Sequence, residues 1–181
     1  MNMSDLIINR VWAMPNRYTF TIKPIKELLK EEIIHGAWCD PFSGKHSPAA
    51  VRNDISPGSN AEYHMDALEF LQQFADDHFD GVLYDPPYSF RQAVECYKGH
   101  GKENITNMKY WSNIKDQIGR IIKPNGKVIC FGWNSMGLGI NRGFTMTRIL
   151  LVAHGGSQND TIVTVETKNS NSTQSLSLDL L

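Results

Sequence analysis

Short apolar runs that end in polar or acidic residues, separated by stretches with helical spacing, constrain this chain more than any other feature. Ala37-Trp38-Cys39-Asp40 reads as a buried strand stopped by Pro41, residues 50–54 as a second strand and residues 62–65 as a third. Residues 79–84 form a fourth, ended by two prolines, and residues 127–132 a fifth. Between them, Ile25, Leu28, Leu29 and Ile33 recur at helical spacing after Pro24, with Gly36 as the stop. Residues 67–74 follow Asp66 as a short capped helix. The clearest helix is 108–122, capped by Asn107, with Met108, Trp111, Ile114, Ile118 and Ile121 on one face. Residues 10–21 and the basic stretch holding Gly99 and Gly101 read as loops, and residues 123–126 as a turn. Residues 145–153 and 161–166 read as an antiparallel pair at a sheet edge. Strands alternating with helices predict an α/β fold, a mainly parallel sheet ending in an antiparallel hairpin.

Composition agrees with a packed domain. The 181 residues are 41% hydrophobic and 20% charged, which excludes disordered and fibrous classes. Residues 1–168 read as one domain, with 169–181 as a Ser- and Asn-rich tail. No apolar run is long enough to span a membrane. The opening MNMSDLIINR lacks a basic stretch followed by an apolar one, so a cytoplasmic location is expected. Cys39, Cys96 and Cys130 are far apart and the six histidines show no ligand spacing, so no metal is assigned. The net charge of −1 hides an asymmetry: residues 37–80 hold two basic and eight acidic side chains, and residues 89–127 hold eight basic and three acidic. That split fits one acidic ligand pocket and one face that meets phosphates, and equally two differently solvated surfaces.

Ligands of parallel sheets bind beyond the carboxyl ends of the strands. Asp40, Asp54, Asp66, Asp85 and Asn134 stand at such ends. The sharpest motif is Asp85-Pro86-Pro87-Tyr88, directly after Val82-Leu83-Tyr84. A carboxylate and a proline carbonyl can each accept one N–H of an exocyclic amino group, and a tyrosine ring can stack on a planar base.

This tetrapeptide resembles the catalytic motif of the S-adenosylmethionine-dependent DNA amino-methyltransferases, whose Asp form is typical of adenine N6 methylation. Its neighbours extend the likeness over residues 10–166. Asp40-Pro41-Phe42-Ser43-Gly44 resembles the family's cofactor turn. Asn53-Asp54-Ile55 resembles the acidic strand end that holds the ribose hydroxyls. Asp66-Ala67-Leu68 resembles the motif that accepts from the cofactor's adenine amino group, and Thr21, in Phe20-Thr21-Ile22-Lys23-Pro24, falls where the family has an N-terminal cofactor contact. Residues 123–127 and the following strand resemble a later turn-and-strand. The resemblance implies a Rossmann-like methyltransferase fold of compact, phage-type form. It implies S-adenosylmethionine as cofactor, Asp85, Pro86, Pro87 and Tyr88 as catalytic residues, and flipped or single-stranded DNA as substrate. Arg91, Lys98, Lys102 and Lys109 are candidate phosphate contacts, and Asn134 either lines the target pocket or caps a turn.

The chain departs from the family pattern in three ways. Gly44 is followed by Lys45-His46 rather than a second glycine. The links 45–50 and 56–61 are too short for a crossover helix, so one flank of the sheet needs cover from the N-terminal arm, the tail or a second subunit. In place of a recognition domain there is only the insert 89–109, so short or relaxed specificity, or specificity from a recognition subunit, is expected, and the thinly covered sheet leans towards a homodimer. Cytosine N4 methylation, and a partner-dependent or non-catalytic module of the same fold, remain the alternatives. A dinucleotide-binding dehydrogenase is disfavoured, because no Gly-x-Gly-x-x-Gly follows the first strand.

Overall fold

In the computed structural model, which describes residues 6–100, 104–156 and 158–170, strands and helices alternate along the chain. They are β1 (Ile7–Trp12), α1 (Lys23–Glu32), β2 (Trp38–Asp40), β3 (Val51–Arg52), α2 (Ala67–Gln72), β4 (Phe79–Tyr84), α3 (Phe90–Tyr97), α4 (Met108–Ile121), β5 (Ile122–Gly132), β6 (Phe144–Ala153) and β7 (Thr161–Lys168). One sheet takes all seven strands in the order β1-β6-β7-β5-β4-β2-β3. Strands β3, β2, β4 and β5 run parallel, β7 runs antiparallel to both β5 and β6, and β1 lies parallel to β6.

The two-residue period of the strands sorts their side chains onto two faces. Cys39, Val82, Tyr84, Val128 and Cys130 point to a core closed by Phe70 and Leu71 of α2 and by Ile114, Ile118 and Ile121 of α4. Their chain neighbours Trp38, Leu83, Ile129 and Phe131, with Val163 and Val165, point to the opposite core. Phe20, Ile22 and the α1 residues Ile25, Leu28 and Leu29 close that second core, with Ala49 of the link after β2. The link after β2 contains no helix, so the N-terminal arm supplies the cover that the short crossovers omit. Gly81 makes this packing possible: a Cβ there would lie 2.5 Å from the Trp38 ring.

Several sequence expectations are corrected. The hairpin β6–β7 is not at the edge, because β1, which starts ahead of residues 10–21 and ends within that expected loop with short extended pieces, pairs outside it. The apolar residues of β1 are separated by polar Asn9 and Arg10, and Ile7 and Ile8 stay more than half exposed, so neither a core nor a helical period marks them. α1 stops at Glu32, four residues before Gly36, whose φ of +92° instead serves the turn into β2. The expected turn 123–126 lies inside β5 as an irregularity in its pairing with β4, where Asn125 takes a φ of +65°.

The expected third strand 62–65 is reduced to a single bridge between Tyr63 and Asn53. The buried Asn53 amide replaces the next rungs: its oxygen accepts from Met65 N at 3.1 Å, and its nitrogen donates to Met65 O at 3.0 Å. The basic loop after Tyr88 contains helix α3. Ser89 Oγ accepts from Gln92 N, and Gln92 Oε1 accepts from Tyr88 N at 2.7 Å, a close relative of the capping box. Lys102 and the tail from 171 onward lie outside the described residues.

Candidate active site

The carboxyl ends of the parallel strands open into two cavities that share one wall. The first, about 580 Å³, is lined by Pro41 and Phe42 after β2, Asp54 and Ile55 after β3, Met65 and Ala67 at α2, and Asp85 after β4. The second, about 480 Å³, lies between β4, β5, α3 and α4 and is lined by Tyr84, Phe90, Trp111, Lys115, Trp133 and Asn134 among others. Pro86, Pro87 and Tyr88 belong to both linings, so the motif after β4 is the partition between them.

At that partition, the Tyr88 hydroxyl donates to Asp85 Oδ1 at 2.6 Å. The Thr19 side chain also hydrogen-bonds Asp85. Burial pushes the Asp85 carboxyl up to about 6, and these two hydrogen bonds oppose the rise by favouring the carboxylate. Tyr88 is raised far above the ordinary phenol range, first by burial and then by the Asp85 charge, so it remains a donor. The Trp133 ring meets the Tyr88 ring edge to face at 5.6 Å.

The first cavity is shaped by hydrogen bonds that hold three chain segments together. Asp40 is fully buried beneath it; Oδ1 accepts from Phe42 N at 2.8 Å and Oδ2 from the Ser47 hydroxyl at 2.6 Å. Burial, with smaller contributions from the Asp85 and Asp54 charges, pushes Asp40 up to about 8. Asp54 accepts from Gly44 N at 2.9 Å through Oδ2 and from Ser56 N through Oδ1. Gly44 has a φ of +54°, which a glycine adopts without strain. Asn53 Nδ2 donates to Pro41 O at 3.1 Å, tying the turn after β2 to the start of α2.

The structure therefore brings Pro41, Phe42, Asp54, Ile55, Ala67, Asp85, Pro86, Pro87 and Tyr88 together. Asp40, Ser43 and Gly44 build the turn without lining the cavity. Asp66 caps α2 through Oδ1, accepting from Leu68 N and Glu69 N, while Oδ2 accepts from the Tyr110 hydroxyl at 2.6 Å; neither Asp66 nor Leu68 lines the cavity. Thr21 is exposed and donates to Tyr18 O, whereas Thr19, two residues earlier, lines the cavity. Arg91, Lys98 and Lys109 are exposed and line neither cavity. Asn134 both lines the second cavity and accepts from Met136 N at 3.1 Å.

Sequence reasoning missed several contributors. Lys115 of α4 lines the second cavity and donates to Gly137 O at 2.7 Å. The fully buried Glu166 of β7 accepts from Leu138 N at 2.6 Å and Gly139 N at 3.0 Å, and Arg142 donates to Ser112, Asp116 and Leu138 O. These bonds fix the loop that carries Trp133 and Asn134. Their only sequence signal was a charged residue, Glu166, inside an apolar strand.

No protein-family model matches the chain, and no curated protein matches it significantly. Solved structures do match its fold. The 1,6-didemethyltoxoflavin-N1-methyltransferase of Burkholderia thailandensis, with its substrate and S-adenosylhomocysteine bound, superposes with a TM-score of 0.58 over 81% of this chain and 77% of that one, at 11% identity. The N-methyltransferase NodS of Bradyrhizobium japonicum, in complex with S-adenosylhomocysteine, gives 0.53 over 81% and 86%, at 10% identity. The Escherichia coli putative methyltransferase yhhF gives 0.51 over 86% and 92%, at 12% identity. The chain thus has a Rossmann-like methyltransferase fold. Among the described residues, no helix is long and apolar enough to cross a membrane, and no cluster of three or more His, Cys, Asp or Glu is placed to hold a metal.

Proposed function

We propose that this protein transfers a methyl group from S-adenosylmethionine to the exocyclic N6 of adenine in DNA. The observation that carries the reading is the position of the motif after β4: Pro86, Pro87 and Tyr88 are the shared wall of two cavities, and Asp85, hydrogen-bonded to Tyr88, lines the first cavity beside that wall. A methyl donor and an acceptor base must meet at such a wall, each approaching from its own side.

The first cavity suits the cofactor in its donor set. Apolar surfaces at Phe42, Ile55 and Ala67 offer faces for a purine ring, and the Asp54 carboxylate keeps lone pairs for ribose hydroxyls. When bound, S-adenosylmethionine supplies an electrophilic methyl group on a sulfonium leaving group. Asp85 and the Pro86 carbonyl accept the two N–H bonds of the target amine. Those hydrogen bonds strengthen as positive charge develops on nitrogen, so they favour the transition state over the bound substrate. Tyr88 stacks on the base and holds the nitrogen in line. After transfer, one proton leaves the nitrogen for Asp85 or water. Half-buried Asp85, raised to about 6, is largely ionised at neutral pH and basic enough to take it.

Incubation with S-adenosylmethionine and mixed-sequence DNA, followed by nucleoside mass spectrometry, tests the target atom. N6-methyladenine is expected. N4-methylcytosine alone would move the specificity to cytosine, and unmodified nucleosides from protein that binds the cofactor would support a partner-dependent or non-catalytic module.

A further inference from the structure

The mouth of the second cavity has a composition that methyl transfer itself does not require. Phe90 and Trp133, which line it, are 45% and 41% exposed, and Met108 is 75% exposed. Met136, in the loop between Asn134 and Gly137, is 74% exposed. Exposed aromatic and apolar side chains on a loop fixed by Glu166, Arg142 and Lys115 form a stable surface around an opening. Lys115 lines the cavity and is held by Gly137 O, while Lys109 and Arg91, next in sequence to the lining residues Met108 and Phe90, are exposed without lining it. Three other basic residues of the 89–127 segment are already matched within the protein: Arg120 by Asp76, Lys123 by Asp80 and Lys127 by Glu32.

A DNA duplex offers phosphates outside and hides its base faces, and holding it calls for an extended cationic surface. This chain has a net charge of −1, and among the described residues Lys115 is the one cation that lines the cavity. A single strand offers unpaired base faces that stack on aromatic side chains, and it needs fewer phosphate contacts. We propose that the rim of the second cavity is a stacking platform for nucleotides flanking an already unpaired target, with Trp133 as its main ring, so that the DNA substrate is single-stranded. This rests on the reading of the second cavity as the target-base site. The Trp133 ring also packs edge to face on Tyr88, which places the platform next to the ring assigned to the target base.

The test uses the full chain, one 15-nucleotide adenine-containing oligonucleotide, and the same oligonucleotide in a blunt duplex. Methylation rates and fluorescence-anisotropy binding are measured for wild type, W133A and W133F, with S-adenosylmethionine affinity as the control for folding. The single strand is expected to be bound and methylated at least about tenfold better than the duplex. W133A should weaken single-strand binding roughly 5- to 150-fold, the worth of one base stacked on an aromatic ring. W133F should keep most of it, and cofactor affinity should not change. Equal or better use of the duplex, or unchanged binding by W133A, overturns the platform even if adenine is methylated. Tight Trp133-dependent binding of the single strand without methylation overturns the proposed activity and leaves the platform standing. Preference for the RNA version of the strand overturns DNA as the substrate.

Discussion

At Asp85 two influences act on one carboxyl group. Burial raises its pKa, and hydrogen bonds from Tyr88 and Thr19 lower it. In the proposed reaction the carboxylate must be ionised to accept the amine protons, so kcat/KM should fall as pH drops through about 6. Replacing Tyr88 with Phe keeps the ring and removes one of the two hydrogen bonds that favour the charged form. In Y88F the acid limb of the kcat/KM profile should therefore move to higher pH. A limb that stays in place would show that the 2.6 Å contact does not tune Asp85. The residues of this motif were legible in the sequence because a proline pair after an apolar strand leaves few conformations open. Thr19 was not, since its contact with Asp85 joins positions 66 residues apart in a stretch without any period.

Two of the elements that the sequence pattern misplaced, 62–65 and α3, have side chains setting their backbone bonds. The run 62–65 has the composition of a strand, but Asn53 takes its hydrogen bonds. Helix α3 carries Phe90, Ala93, Val94 and Tyr97 at helical spacing, a period that the basic residues and glycines around it masked, and its start is fixed by Ser89 and Gln92. By contrast, α4 presents a full apolar face and was legible almost to the residue. The Asn53 amide bonds Pro41 and Met65 from a fully buried position. Asn53→Ala leaves those backbone groups without their partner, so urea unfolding should show a loss of about 2–4 kcal/mol. Cofactor affinity should fall with it, because Pro41 and Met65 both line the first cavity. Unchanged stability would mean that the turn after β2 is held by its other bonds, from Asp40 and Asp54.

For the whole molecule, the fold places three carboxylates at neighbouring strand ends with the thinnest helical cover on one flank. The charges of Asp85 and Asp54 add to the burial that pushes Asp40 up to about 8. A carboxyl whose pKa is raised on folding stabilises the native state most below its unfolded pKa, near 4, and loses that contribution as pH rises to about 8. Asp40→Asn mimics the protonated form and lacks this loss. The melting temperature of wild type should fall relative to D40N between pH 5 and pH 8, then run parallel to it above; a constant difference across that range would contradict the assignment. The mainly parallel sheet and the acidic residues at its strand ends were legible as an α/β pattern. The edge position of β1 was not, because a strand exposed on both faces carries no burial signal. In the proposed reaction Asp85, in the first cavity beside the wall formed by Pro86, Pro87 and Tyr88, serves methyl transfer and not cofactor binding. Single-turnover methylation of adenine DNA by Asp85→Ala, with S-adenosylmethionine affinity measured by calorimetry on the same preparation, tests it most directly. The account predicts a rate at least about 100- to 1,000-fold below wild type with cofactor affinity nearly unchanged. A wild-type rate in D85A would contradict it.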